Sequence, residues 1–273
     1  MDKTKIIVVE DNIVYCEYVC NMLSREGYHT MKAYHLSTAK KHLQQATDND
    51  IVVADLRLPD GNGIDLLRWM RKEGKMRVIA LDYRLAPKHP YPEGLDDCIS
   101  AVNYIIDHAA ELHIDVNHIT IGGDSSGGNL ALATALSETC RGKIESLLLF
   151  YPVTKAFDDG SESWQQYGKG FGLDAEIMEA FNRAYTIHAD NRCSAISVGL
   201  CSDEVLNMLP RTLLIAAERD ILRDQGLNLA ERMCGQIQRI EYKGAVHLFI
   251  TVPGQDTAFD RAVKDAIWFI CNK

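Results

Sequence analysis

No stretch of the sequence approaches about eighteen consecutive apolar residues, so nothing in it reads as a membrane-spanning helix. Positive charge is also short: 29 Lys and Arg stand against 38 Asp and Glu, a net charge of −9. No window gathers basic residues as a phosphate-tracking surface requires, which argues against nucleic-acid binding. The eight cysteines are too dispersed for the framework of a small disulfide-bonded domain and form no Cys-x-x-Cys pair. Cys16 and Cys20 lie one helical turn apart but have no second ligand pair nearby to complete a metal site. Met1 to Lys5 lead straight into a strand-like run without the apolar core and cleavage site of a signal peptide, so a cytoplasmic protein is expected. Repeats, low-complexity tracts and linkers rich in Pro, Gly or Ser are lacking too.

What is present is a core-forming chain. Hydrophobic residues make up 47% of its 273 positions, ample for one large α/β domain or two small ones. Lys5 to Val9 is a β-branched run ending in Glu10-Asp11-Asn12, followed by a helical stretch and a turn at Gly27. Strands are expected at Tyr28 to Tyr34, Asp50 to Asp55, Arg77 to Asp82 and His118 to Ile121. Helices are expected at Ser37 to Gln45, Ile64 to Lys72 and Asp96 to Leu112, the last with Ile99, Val102, Ile106 and Ala109 on one face. Leu147 to Tyr151 and Thr212 to Ala216 are continuous apolar runs, as in strands covered on both faces. Arg239 to Tyr242 reads as a further strand and Ala258 to Ile270 as a closing helix. Such alternation predicts a mainly parallel sheet. Residues 153–210 break the rhythm, and an insertion of that length beside a sheet reads as a cap over a site.

Gly123-Asp124-Ser125-Ser126-Gly127 follows a predicted strand and opens a predicted helix, the context in which Gly-x-Ser-x-Gly acquires chemical meaning. The glycines permit a strained turn that lifts Ser125 Oγ to the carboxyl edge of the sheet. The N–H of Ser126, at the helix N-terminus, then faces a developing oxyanion. A serine hydroxyl needs a base, and the base an orienting acid. His247, after Gly244-Ala245-Val246, follows the last predicted strand, and Asp220 follows the strand before it. Asp224 and Glu218 compete as the acid. Asp220 is preferred because it lies just beyond the strand end. His108, His113 and His188 are assigned to solvated helix faces.

From Val78-Ile79-Ala80-Leu81-Asp82-Tyr83-Arg84-Leu85-Ala86-Pro87 onward, the chain resembles the hormone-sensitive-lipase family of carboxylesterases. Further matches are Pro90-Tyr91-Pro92, Gly122 to Ala131, Leu209-Pro210, Asp220-Ile221-Leu222-Arg223-Asp224 and His247. The resemblance implies hydrolysis of short acyl esters by Ser125, Asp220 and His247 through an acyl-enzyme, with no metal or organic cofactor. Where that family carries a His-Gly-Gly-Gly loop that completes the oxyanion hole, nothing similar occurs between Met1 and Met76. Losing one such donor costs about 3–4 kcal/mol of transition-state stabilisation, so an impaired esterase is expected. Lesser departures are Val198 in place of a proline and Leu248 where a glycine usually follows the histidine.

Residues 4 to about 76 instead resemble the first half of a response-regulator receiver domain. The likeness rests on Glu10 and Asp11 after the first strand, Asp55 ending the third, and the loop Leu58-Pro59-Asp60-Gly61-Asn62-Gly63. It implies Asp55 as phosphoacceptor and a Mg²⁺ site formed by Glu10, Asp11, Asp55 and the Arg57 carbonyl, oxygen donors that suit a hard cation. The Thr or Ser and the Lys that complete a receiver are missing, and Asp82 and the Ser125 turn stand in their places. A phosphorylated Asp55 would therefore meet extra negative charge.

The expected organisation is α/β, a single mainly parallel three-layer sheet. Residues 1–76 form its flavodoxin-like, receiver-like half and residues 77–273 its α/β-hydrolase part, with the cap at about 153–210. Whole natural domains are usually joined through flexible segments. The join near Met76-Arg77 has none, which points to a recombined or engineered chain. Three functions stay open: an ester hydrolase acting on a small-molecule ester, a phosphoacceptor signalling module centred on Asp55, and a chimera that does neither. No nucleic-acid or membrane partner is expected, and the oligomeric state is not legible.

Overall fold

A computed structural model describes residues 5–25, 27–46, 51–54, 57–62, 66, 69–70, 79–112, 114–251 and 254–271. The chain divides into two compact units, residues 1–80 with 110–114, and residues 81–109 with 115–273.

In the first unit, β1 (Lys5–Val9) is flanked by β2 (His29–Ala33) and β3 (Ile51–Ala54) in a parallel sheet of order β2-β1-β3. Helices α1 (Ile13–Arg25) and α2 (Leu36–Gln44) make the crossovers. Ile6, Ile7, Val8 and Val9 are all nearly inaccessible, as a central parallel strand of β-branched residues requires. β4 (Arg57–Leu58) pairs antiparallel with β5 (Gly61–Asn62) in a short hairpin. At its turn Asp60 accepts the N–H groups of Leu36 (2.6 Å) and Ser37 (3.0 Å), satisfying donors that the start of α2 leaves open. These bonds, the one from Ser37 foremost, hold the Asp60 carboxyl below its ordinary value.

The second unit is built on a parallel sheet of β6 (Thr120–Asp124), β7 (Ser146–Phe150), β8 (Arg211–Arg219) and β9 (Ile237–Val246), hydrogen-bonded in that order. One face packs on α3 (Glu93–Asp107) and α4 (Ser126–Leu136) through Leu95, Val102, Leu130, Leu132, Leu147 and Leu149. Leu213, Ile215, Tyr242 and Phe249 pack with Ala258, Ala262 and Phe269 of the closing helix. Between β7 and β8 lie α5 (Glu162–Tyr167) and α6 (Ala175–Tyr185), whose Trp164 and Met178 form a satellite core with Leu173, Ile221 and Leu222. Among the described residues, no helix is long and apolar enough to cross a membrane.

The α/β class and the parallel sheets are as expected. Apart from the short antiparallel hairpin, the described strands form two parallel ladders, and most of the expected join, residues 71–78, lies outside the described residues. Residues 79–82, read as part of a connecting strand, carry no strand pairing. Ile79 and Leu81 are 38% and 40% exposed, unlike side chains of a strand covered on both faces. Apolar β-branched character favours a strand, but without a paired neighbour it does not form one.

Candidate active site

Three strand ends of the second unit converge on one hydrogen-bonded chain of side chains. Ser125 is the first residue after β6, Asp220 the first after β8 and His247 the first after β9. His247 Nε2 lies 2.9 Å from Ser125 Oγ, and His247 Nδ1 lies 2.7 Å from Asp220 Oδ2. Asp220 and His247 are 1% and 2% exposed, so this pair is shielded from water, whereas Ser125 is half-buried and reachable. The second carboxylate oxygen, Asp220 Oδ1, accepts the Leu222 N–H at 2.9 Å, which orients the acid.

The serine turn has the geometry its glycines imply. Ser125 adopts φ 50° and ψ −115°, a left-handed conformation that costs a non-glycine residue about 1–3 kcal/mol and persists only where its surroundings enforce it. They do so here: Ser125 N–H donates to Phe150 O (2.9 Å), and Ser125 O accepts from Val153 N–H (3.1 Å). A Cβ on Gly123 would stand 2.3 Å from the Gly127 carbonyl carbon, and one on Gly128 would stand 2.7 Å from Pro152 Cβ. Strand and helix can therefore meet this closely only without side chains. Ser126 is the first residue of α4, so its N–H has no acceptor within the helix and points where negative charge is favoured.

The competing carboxylates are placed elsewhere. Glu218 accepts Gly244 N–H (2.7 Å) and Lys243 Nζ (3.0 Å). Asp224 accepts Ser163 N–H and Arg223 Nε, each at 2.7 Å. Of the other histidines, His108 stacks on Tyr104 at the end of α3, His188 is exposed and His113 lies outside the described residues.

Sequence reasoning missed two of three close neighbours of His247. The Tyr151 ring packs against the imidazole at 4.7 Å between centroids, its backbone is held at φ 36°, and burial pushes its phenol upward in pKa. Gly172, at φ 95°, lies so close that a Cβ would stand 3.0 Å from His247 O. Leu248 takes φ 63°, in the left-handed region where glycine is the easier residue. That last position was visible in the sequence as a departure; the other two bore no signal, because their contacts join distant segments.

In the first unit, Glu10 and Asp11 follow β1, and Glu10 Oε1 accepts Asn12 N–H at 3.1 Å. Asp55, and with it the expected phosphoacceptor and Mg²⁺ ligand, lies outside the described residues, as does the Arg57 side chain. Among the described residues no three His, Cys, Asp or Glu side chains gather as metal ligands would. Cys16 and Cys20 are buried in α1, with Cys16 Sγ 3.7 Å from Val8 O.

Comparison with known proteins gives two overlapping family matches. Residues 61–251 match the family described as alpha/beta hydrolase fold, and residues 6–87 match the response regulator receiver domain. Lipase 2 of Moraxella sp. (strain TA144) is 31% identical, the match covering 64% of this chain and 47% of that protein. Ethyl acetate hydrolase of Pseudomonas putida is 31% identical over 72% of this chain and 60% of its own. The crystal structure of a thermostable esterase from Pseudomonas putida ECU1011 superposes with a TM-score of 0.61 at 28% identity, covering 66% of this chain and 60% of that one. The chain thus spans about half to three-fifths of the length of these relatives.

Proposed function

Because the chain belongs to the alpha/beta hydrolase fold family, we propose that it is a serine carboxylester hydrolase acting on small esters with short acyl groups. Ser125 is its nucleophile, His247 its general base and Asp220 the orienting acid. The observation that carries this reading is the pair of hydrogen bonds linking Ser125 Oγ, the His247 ring and Asp220 across three strand ends. Relatives named as a lipase and an ethyl acetate hydrolase support the substrate class.

In the first half-reaction, Ser125 Oγ gives its proton to His247 Nε2 and bonds to the ester carbonyl carbon. Negative charge develops on the former carbonyl oxygen and faces the Ser126 N–H. His247 returns the proton to the departing alcohol, leaving Ser125 acylated. Water then repeats the sequence, losing a proton to His247, and the carboxylic acid leaves with Ser125 restored. Asp220 holds the Nδ1–H tautomer and favours the imidazolium formed in each half. Ser126 is the oxyanion donor these residues supply. Each missing partner from a His-Gly-Gly-Gly loop slows the reaction by about a hundred- to a thousand-fold, so a slow esterase is expected.

The test is the release of p-nitrophenol from p-nitrophenyl acetate. The wild type should give a burst of up to one equivalent per chain, lost in Ser125→Ala. Identical background rates in the two proteins would end this reading.

A further inference from the structure

The stretch from Asp220 to Asp224 leaves β8 and enters α7 (Arg223–Arg232), and it is tied at two points to a single buried residue of the insertion. Ser163, in α5, is completely inaccessible. Its Oγ–H donates to Ile221 O at 2.9 Å, next to Asp220. Its N–H donates to Asp224 Oδ2 at 2.7 Å, and its Oγ accepts the Asp224 N–H at 3.3 Å. The neighbouring Trp164 packs with Ile221 and Leu222, the residue whose N–H orients Asp220 Oδ1. At the far end of α5, the Arg223 guanidinium lies 5.2 Å from the Tyr167 ring while its Nε binds Asp224.

We propose that Ser163 and Asp224 are positioning residues that clamp the insertion to the acid loop and thereby hold Asp220 in register with His247. The proposal rests on the reading of Ser125, His247 and Asp220 as a triad. Buried polar groups are costly unless bonded, and here they are bonded to one another around the loop rather than replaced by apolar packing. Burial alone would raise the Asp224 carboxyl; its bonds to Arg223 and Ser163 outweigh that and hold it below its ordinary value, so it stays a charged acceptor. The loop needs such a tie because Asp220 is the first residue past the strand, where the ladder ceases to fix the backbone. A misplacement of about 1 Å can cost about a hundredfold in rate.

The experiment follows the His247 Nδ1–H proton by NMR in protein carrying ¹⁵N-histidine, assigned by its loss in His247→Gln, alongside steady-state hydrolysis of p-nitrophenyl acetate. Ser163→Ala should shift this resonance upfield or broaden it, and should lower kcat/KM roughly tenfold with little change in KM, the factor that ~1.4 kcal/mol represents. Asp224→Asn keeps an oxygen for the Ser163 N–H but loses the charged pairing with Arg223, so it should produce a smaller change in the same direction. An unmoved resonance in Ser163→Ala overturns the clamp whatever happens to the rate. A rise in KM alone overturns it as well, since the serine would then support only the insertion. If Ser163→Ala does not fold, Asp224→Asn decides by the same criterion. The resonance is present or absent irrespective of turnover. Lack of a Ser125-dependent burst would therefore sink the esterase reading, while the NMR comparison would separately decide whether the clamp orients His247.

Discussion

At the scale of single residues, the proposed chemistry depends on where one proton sits. Asp220 accepts from His247 Nδ1, leaving Nε2 as the base beside Ser125 Oγ. Asp220→Asn retains the shape but can present an N–H to Nδ1, which favours the wrong tautomer. The p-nitrophenyl acetate burst rate should fall by about 10³–10⁴-fold with unchanged folding, and a loss of less than tenfold would remove Asp220 from the triad. Glycine acts here by its missing side chain. In Gly123→Ala the new Cβ meets the Gly127 and Gly128 backbone at 2.3–2.7 Å, and backbone cannot yield as a flexible side chain would. This substitution should abolish the burst and lower stability by about 1–3 kcal/mol, measured by urea unfolding.

At the scale of elements, charged side chains tie segments to helix ends. Arg84, in the segment before α3, binds Asp97 through Nε and Nη2, and Glu93 through Nη1. Hydrogen bonding to the guanidinium is the foremost cause that lowers the Asp97 carboxyl to about 2. A carboxyl depressed in the folded state stabilises above its unfolded value and loses that contribution as pH falls through the folded one. The unfolding temperature of wild type should therefore exceed that of Asp97→Asn near neutrality, and the gap should narrow below about pH 4 and vanish near the value of about 2. A gap that persists in strong acid would refute the electrostatic origin. In the first unit Asp60 plays the capping part for α2, so Asp60→Ala should speed hydrogen exchange at the Leu36 and Ser37 amides while leaving β1 amides protected.

At the scale of the whole molecule, the chain joins a receiver-like segment to a segment of the alpha/beta hydrolase fold. The receiver-like part has Glu10 and Asp11, but neither the hydroxyl nor the lysine that would bind a phosphoryl group is present in the sequence. Treatment with acetyl phosphate and Mg²⁺ should accordingly leave the intact mass unchanged. Gain of one phosphate, abolished by Asp55→Asn, would instead establish a working phosphoacceptor. Residues 79–82 show how far pattern reading reaches: their apolar character suggested a strand, yet strand formation needs a paired neighbour, and in the structure they have no ladder.

The α/β class, the order of strands and helices from β6 onward, and the candidacy of Ser125 and His247 were set by local information. Apolar runs, glycine spacing and strand-to-helix transitions act over a few residues and survive in the linear chain. The choice among Glu218, Asp220 and Asp224 was different. Those three carboxylates lie within one short stretch, and which of them meets His247 depends on β8 extending to Arg219 in register beside β9. The packing of Tyr151 on the imidazole and the grip of Ser163 on the acid loop were likewise decided by tertiary structure. Both unite segments separated by tens of residues, and such contacts leave no periodicity or spacing behind them in the sequence.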